Sequence, residues 1–272
     1  MITAVQGRNL TGTSLDFVKR DNENLIRRSG KPARPSRIKQ GIVAIVISAT
    51  ILGAVVIFGQ RVMRGIAFDD IPKEISELAQ KNPEAAGFAD NYNLYKDRDF
   101  DIDVSKEMSD GGIPLFIQWD KRWGYRSYGE NYIGVAGCGP TSIAMVACGL
   151  TGDETINPYV VSKYANDNGY YTYGVGTSWS LMTEGAKHYG INGTEGTISS
   201  DYILQNLSED TPMICSMKPG DFTSSGHFIV LAGIYSDGTI IVNDPNSYKN
   251  SAEHWDIDTL VDQMKGIWIY NK

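Results

Sequence analysis

The chain has 272 residues, 42% of them hydrophobic, enough apolar material for one large domain or two small ones with a real core. Its formal net charge is −7, but the first forty residues carry nine Lys/Arg against three Asp/Glu, so residues 41–272 are strongly acidic. That acidity argues against a nucleic-acid partner and against a basic interaction face.

Residues 1–40 are polar and basic, with Pro32 and Pro35 near their end, and read as a cytoplasmic tail without a fold of its own. Residues 41–60 carry no charge and are mostly Ile, Val, Ala and Leu. Twenty helical residues reach ~30 Å, the thickness of a bilayer's hydrocarbon core, so this run predicts one transmembrane helix. Lys31, Arg34, Arg37 and Lys39 precede it, while Arg61 and Arg64 follow it. The positive-inside rule then sets the N-terminus in the cytoplasm and the C-terminal bulk outside the cell membrane. A cleaved signal peptide fits less well, because the run is long, no small-x-small site follows it, and two arginines crowd that place. Residues 61–112 read as an extracellular stalk. Ile75, Leu78 and Ala79 recur at helical spacing within residues 72–82, and Asp99, Asp101, Asp103 and Asp110 form a weakly ordered acidic approach.

Residues 113–272 have the size of one domain. A buried helix is expected over the apolar run after Cys138. Asn157-Pro158 opens another helix, residues 177–190 hold a third ending at Gly190, and Ser199 precedes a fourth that runs to about Leu207. Strands follow at residues 213–217, 227–235 and 239–243, the last two joined by the hairpin signal Asp237-Gly238. A helix over residues 257–264 leads to a strand at 266–270. Helices first and an antiparallel sheet after them make an α+β layout.

Cys138 lies in Gly137-Cys138-Gly139-Pro140-Thr141-Ser142. A cysteine between glycines at a helix start has open backbone around it and the positive end of the helix dipole beneath it, which favours the thiolate. Three cysteines are an odd count for an exported chain, so at least one stays unpaired. Cys148 and Cys215 sit in apolar segments and read as small buried hydrophobes, with a disulfide between them left open.

Of the three histidines, His188 lies late in a helical pattern and His254 in a polar loop. His227 opens the apolar run Phe228-Ile229-Val230-Leu231 at the start of a central strand, where a base belongs. Asp244 ends the next strand and precedes Pro245, so it reads as a routine turn former or as an orienter of the base, with Asn243 as the fallback orienter. The hairpin turn lies ten residues after His227 and six before Asp244, so a bulge or a register offset is needed to bring the two together. Gln118, twenty residues before Cys138, is a candidate oxyanion donor beside the Cys138 N–H. Residues 169–176 flank aromatics with glycines and read equally as a substrate-facing loop or a packed surface. No metal motif and no phosphate loop is visible, so no cofactor is expected.

Four separated motifs occur in order: Gln118-Trp119-Asp120-Lys121-Arg122-Trp123 with Tyr128-Gly129; Gly137-Cys138-Gly139-Pro140-Thr141-Ser142; Gly226-His227-Phe228-Ile229-Val230; and Asn243-Asp244-Pro245. Over residues 113–272 the chain resembles stand-alone relatives of the bacteriocin-processing, double-glycine-leader cysteine peptidases. The resemblance implies a papain-like fold with Cys138 as nucleophile, His227 as base, Asp244 as orienter and Gln118 as oxyanion donor. The better-known members of that bacterial family are fused to transporters and cleave after Gly-Gly inside the cell. This chain carries no transporter and faces outward by charge bias, so their substrate does not carry over. The expected activity is a membrane-anchored thiol peptidase acting on a peptide. The alternatives are an amidase, endopeptidase or transpeptidase acting on cell-wall peptides with the same triad, and a catalytically silent tethered binding domain.

Overall fold

The computed structural model describes residues 71–272. The basic tail, the apolar run of residues 41–60 and the first part of the 61–112 segment lie outside the described residues. Among the described residues no helix is long and apolar enough to cross a membrane.

Helix α1, Lys73–Lys81, follows Pro72 and buries Ile75 completely. Phe88, Ala89 and Tyr92 join Ile75 in a small core with Tyr125, and Trp119, Tyr132 and Val135 pack on it. The Phe88 ring stacks on Tyr125 at 4.2 Å, and the Tyr125 hydroxyl donates to the Phe88 carbonyl at 2.8 Å. From residue 71 onward, therefore, the expected stalk packs against the domain instead of standing off it. Its aromatic residues supply much of the buried area, and arginines pair with two of its acids, Asp99 and Glu107. Arg122 pairs with Glu107 and Asp120, and Arg126 with Asp99. Val104 in this stretch is 1% exposed and belongs to the main core.

Two longer helices follow. Helix α2, Cys138–Thr151, is buried on all sides from Gly139 to Cys148, as its apolar run from Ile143 to Cys148 requires, and it takes Thr141 and Ser142 into the core with it. Gly152, at φ +73°, ends it in the left-handed conformation. Helix α3, Pro158–Asp167, is capped by the Asn157 side chain, with proline in the first turn as expected. The helix expected from Thr177 starts later. Gly176–Thr177 pairs instead with Tyr171–Thr172 in a small hairpin, and only Leu181–Gly185 and Ala186–Tyr189 wind, as π and 3₁₀ turns that stop at Gly190.

The rest of the chain builds a five-stranded antiparallel sheet. Its members are β1 (Asn192–Glu195), β2 (Met213–Met217), β3 (His227–Ile234), β4 (Ile240–Asn243) and β5 (Met264–Asn271), in the spatial order β1-β5-β2-β3-β4. Helix α4, Ser200–Asn206, precedes β2, while α5, Tyr248–Ala252, and α6, Ile257–Val261, lie between β4 and β5. Both sheet faces are covered. Ile214, Phe228, Val230, Ala232, Trp268 and Tyr270 face α2 and α3, and Met213, Cys215, Met217, Ile229, Leu231 and Val242 face the core under α4 and α6. With apolar cover on both sides, β3 needs no polar alternation, which is why it reads as a continuous hydrophobic run. The α+β layout thus follows the sequence. Strand β1 was not expected, because its residues Asn192-Gly193-Thr194-Glu195 are polar and mostly exposed at the sheet edge. Helix α6 is shorter than predicted because Met264 is taken into the sheet opposite Met217.

The bulge anticipated from the hairpin arithmetic is present. Gly233 pairs with Ile241 but Leu231 with Val242, so Ala232 is the extra residue. Carried on by one residue, the register sets Asp244 level with Ile229, on the same face as His227. Without the bulge Asp244 would stand level with Val230 and point to the other face.

Candidate active site

Cys138 is the first residue of α2. No side chain caps this helix end, so its free N–H groups and dipole act on the sulfur. The flanking glycines are required by space. A Cβ on Gly137 would meet the Ile133 carbonyl at 2.5 Å, and one on Gly139 would meet Thr177 at 2.7 Å. Thr177 is itself bonded to the Tyr128 hydroxyl at 2.9 Å. Gly139→Ala is accordingly expected to destabilise the protein by about 1–3 kcal/mol through this overpacking. Urea unfolding checks this, and unchanged stability would show that Thr177 moves aside freely.

The partly buried Cys138 thiol meets the His227 ring and the N–H groups of Phe228 and Gly139. Burial alone pushes its pKa up. The His227 bond and charge, helped by the two backbone donors, outweigh burial and hold it below the ordinary thiol value. His227, 7% exposed, bonds Asp244 Oδ1 through Nε2 at 2.7 Å, which leaves Nδ1 for the sulfur. Burial disfavours the imidazolium, but the adjacent Asp244 carboxylate and the Cys138 sulfur push the His227 pKa up to about 10. Each partner thus favours the charged form of the other.

Asp244 is 1% exposed. Its Oδ1 also accepts the Asn246 N–H at 2.8 Å, and Oδ2 accepts the Asn250 side-chain amide at 2.8 Å. The aspartate is thus both a turn former and a partner of the ring, with donors on both oxygens fixing its aim. Asn243 does not serve as the alternative orienter. Its amide donates to the Ile113 and Pro114 carbonyls at 3.0 and 3.1 Å and ties β4 to the start of the domain.

Gln118, 2% exposed, reaches the turn just before Cys138. Its Nε2 donates to the Gly134 carbonyl at 2.9 Å and makes only a 3.4 Å contact to Val135. One amide hydrogen is therefore well used and the second weakly. Its Oε1 is buried and has no partner among the described residues.

The other two histidines lie elsewhere. His188 stacks on Tyr164 at 4.0 Å, and His254 stacks on Tyr235 and bonds Asp237 at 2.8 Å. Cys148 and Cys215 are free and lie in the cores on opposite faces of the sheet, so they do not pair. Burial pushes the Cys148 thiol up to about 12 and that of Cys215 higher. In the glycine-flanked aromatic stretch, Tyr173 and Val175 are 82% and 80% exposed, whereas Tyr170 and Tyr171 pack on the core. No group of three or more His, Cys, Asp or Glu among the described residues is arranged to hold a metal ion.

Sequence reasoning missed the Phe228 N–H and the pair Asn246 and Asn250. A backbone donor leaves no mark in a sequence. The two asparagines did leave one, since an Asx turn after Asp244 and a Ser247 cap followed three residues later by Asn250 are readable signals.

The model of the Peptidase_C39 like family matches residues 112–272. The chain belongs to this family. Membership agrees with the resemblance carried by the four motifs and indicates a cysteine peptidase. Comparison with curated proteins gave no match. The C39-like span begins at Gly112, so α1 and its neighbours Phe88, Ala89 and Tyr92 lie ahead of it, while Tyr125 and Trp119, on which they pack, lie within it.

Proposed function

We propose that this chain is a membrane-anchored, outward-facing cysteine peptidase that hydrolyses a peptide amide bond through Cys138, His227 and Asp244. The observation that carries this is the shared imidazole, which has Nε2 on the Asp244 carboxylate and its other nitrogen toward a pKa-lowered thiol at a helix N-terminus. The thiolate attacks the carbonyl carbon. The second Gln118 amide hydrogen and the Cys138 N–H receive the developing oxyanion. The His227 imidazolium gives its proton to the leaving amine, leaving a thioester and a neutral ring. The ring then takes a proton from water, whose hydroxide equivalent releases the acyl group as a carboxylic acid and restores the ion pair. The uncharged run of residues 41–60 and the Lys/Arg excess before it support the anchor and the orientation.

The test is the pH dependence of two reactions. Iodoacetamide should alkylate Cys138 at pH 6, where an ordinary thiol of pKa about 8.5 is almost fully protonated. Cys148 and Cys215 stay unlabelled as internal controls. Reactivity falls as the pH drops through the lowered Cys138 pKa. Near pH 10 hydrolysis should fall as His227 loses its proton, whereas alkylation should not, because only turnover needs the acid. A Cys138 that reacts only above pH 8 would defeat the reading. Release of muropeptides from purified wall, with no cleavage of peptides, would instead assign the triad to wall remodelling.

A further inference from the structure

The loop that carries Asp244 is held from outside the matched domain. Asn82 Nδ2 donates to the Asn246 carbonyl at 2.6 Å and to Asn246 Oδ1 at 3.2 Å. The Glu84 carboxylate accepts from the Ser247 hydroxyl and, at 3.1 Å, from the Lys249 N–H. Ser247 in turn organises the turn beneath Asp244. Its Oγ caps α5 at the Asn250 N–H, 3.0 Å, and its carbonyl accepts from Ser251 Oγ at 2.7 Å. Ser251 Oγ accepts the Asp244 N–H at 2.9 Å, and Asn250 holds Asp244 Oδ2. A continuous path of hydrogen bonds thus runs from Glu84 through Ser247 to both the backbone and the carboxylate of Asp244. The domain itself grips the same loop through the Gln118 N–H on the Pro245 carbonyl, 2.7 Å, and Trp119 Nε1 on the Asn246 carbonyl, 3.2 Å. Within the tripeptide Asn82-Pro83-Glu84 the parts depend on each other, because Asn82 Oδ1 accepts the Glu84 N–H at 3.0 Å and sets where the glutamate points. Both side chains are partly buried, and α1 just before them is anchored by Ile75.

We propose that Asn82 and Glu84 are positioning residues for Asp244: the segment ahead of the C39-like span clamps the loop that aims this carboxylate at His227. The proposal rests on the catalytic reading above and extends it to residues that the family match does not include. It also makes the approach from the N-terminal side part of the active centre, so that displacing that segment loosens the triad.

The experiment is site-resolved alkylation of Cys138 by iodoacetamide between pH 5 and 9 in the full chain. Asn82→Asp keeps the acceptor that holds Glu84 but loses the donor to Asn246. Glu84→Ala loses both contacts to the loop, and Glu84→Gln keeps one acceptor. With Asp244 less firmly aimed, the imidazolium is less favoured and the thiolate with it. Asn82→Asp and Glu84→Ala should slow Cys138 alkylation at pH 6 by about fivefold or more and move the reactivity midpoint toward that of an ordinary thiol, with Glu84→Gln in between. Lys73→Ala, on the exposed side of α1, should match the wild type. Cys148 and Cys215 must stay unlabelled, which shows the fold intact. Wild-type midpoints in Asn82→Asp and Glu84→Ala would overturn the clamp while leaving the catalytic reading standing. Labelling of the two buried cysteines in all three variants would overturn it too, since the segment would then support the fold at large. A wild type lacking the acid-shifted midpoint would instead defeat the catalytic reading itself.

Discussion

Replacing Cys138 by alanine is expected to abolish peptide hydrolysis, with a loss on the order of 10⁴-fold or more that leaves only what binding and oxyanion donors supply. Neither of the other two cysteines can take its place. Cys148 and Cys215 are fully buried, their thiols are held protonated by that burial, and they lie in the cores away from His227. Cys138→Ser should be nearly as inactive. The donors around the sulfur are sufficient to lower a thiol's pKa, but a serine hydroxyl starts so much higher that the same field leaves it protonated. The measurement is single-turnover cleavage of a peptide panel that includes Gly-Gly sequences, with covalent labelling in parallel. Cleavage at the wild-type rate by the alanine variant would remove Cys138 from the mechanism.

Asp244→Asn is the second large effect, expected to reduce turnover at pH 7 by roughly 10²–10⁴-fold. The amide fills the same space but brings no charge. The His227 pKa, raised mainly by Asp244 against the opposing effect of burial, then falls toward the ordinary histidine range. Cys138 owes much of its own lowering to the His227 charge, so its pKa rises in turn. The two changes close the pH window of the ion pair from both sides. Turnover should fall across the range, and alkylation at pH 6 should slow with it. Asn243→Ala offers the contrast. It leaves the Ile113 and Pro114 carbonyls buried without their donor and should cost about 1–3 kcal/mol of stability while the pH profile stays put. An Asp244→Asn enzyme with the wild-type pH profile would show that another group orients the ring.

Much of this molecule is legible in its sequence because local chemistry speaks for itself. A glycine-flanked cysteine before an apolar run marks the start of α2, Asn157-Pro158 marks the start of α3, and Asp237-Gly238 marks the hairpin that brings β4 back along β3. The hairpin count even demanded the irregularity that Ala232 supplies. What stayed hidden depends on partners distant in the chain. The segment after residue 70 carries enough acidic residues to look like a spacer, yet Phe88 and Tyr92 find Tyr125, and two of the acids, Glu107 and Asp99, find Arg122 and Arg126. Strand β1 has no apolar alternation and exists only because β5 offers it an edge.

The sequence by itself determined the helix that begins at Cys138, the central strands and the identity of the residues proposed for catalysis, since each is written in spacing and residue type within a few positions. Only the tertiary structure decided which nitrogen of His227 meets Asp244, that Asn243 is committed elsewhere, and that Asn82 and Glu84 hold the loop. Those choices depend on register and on contacts between residues more than a hundred positions apart, where a single bulge reverses the face a side chain points to.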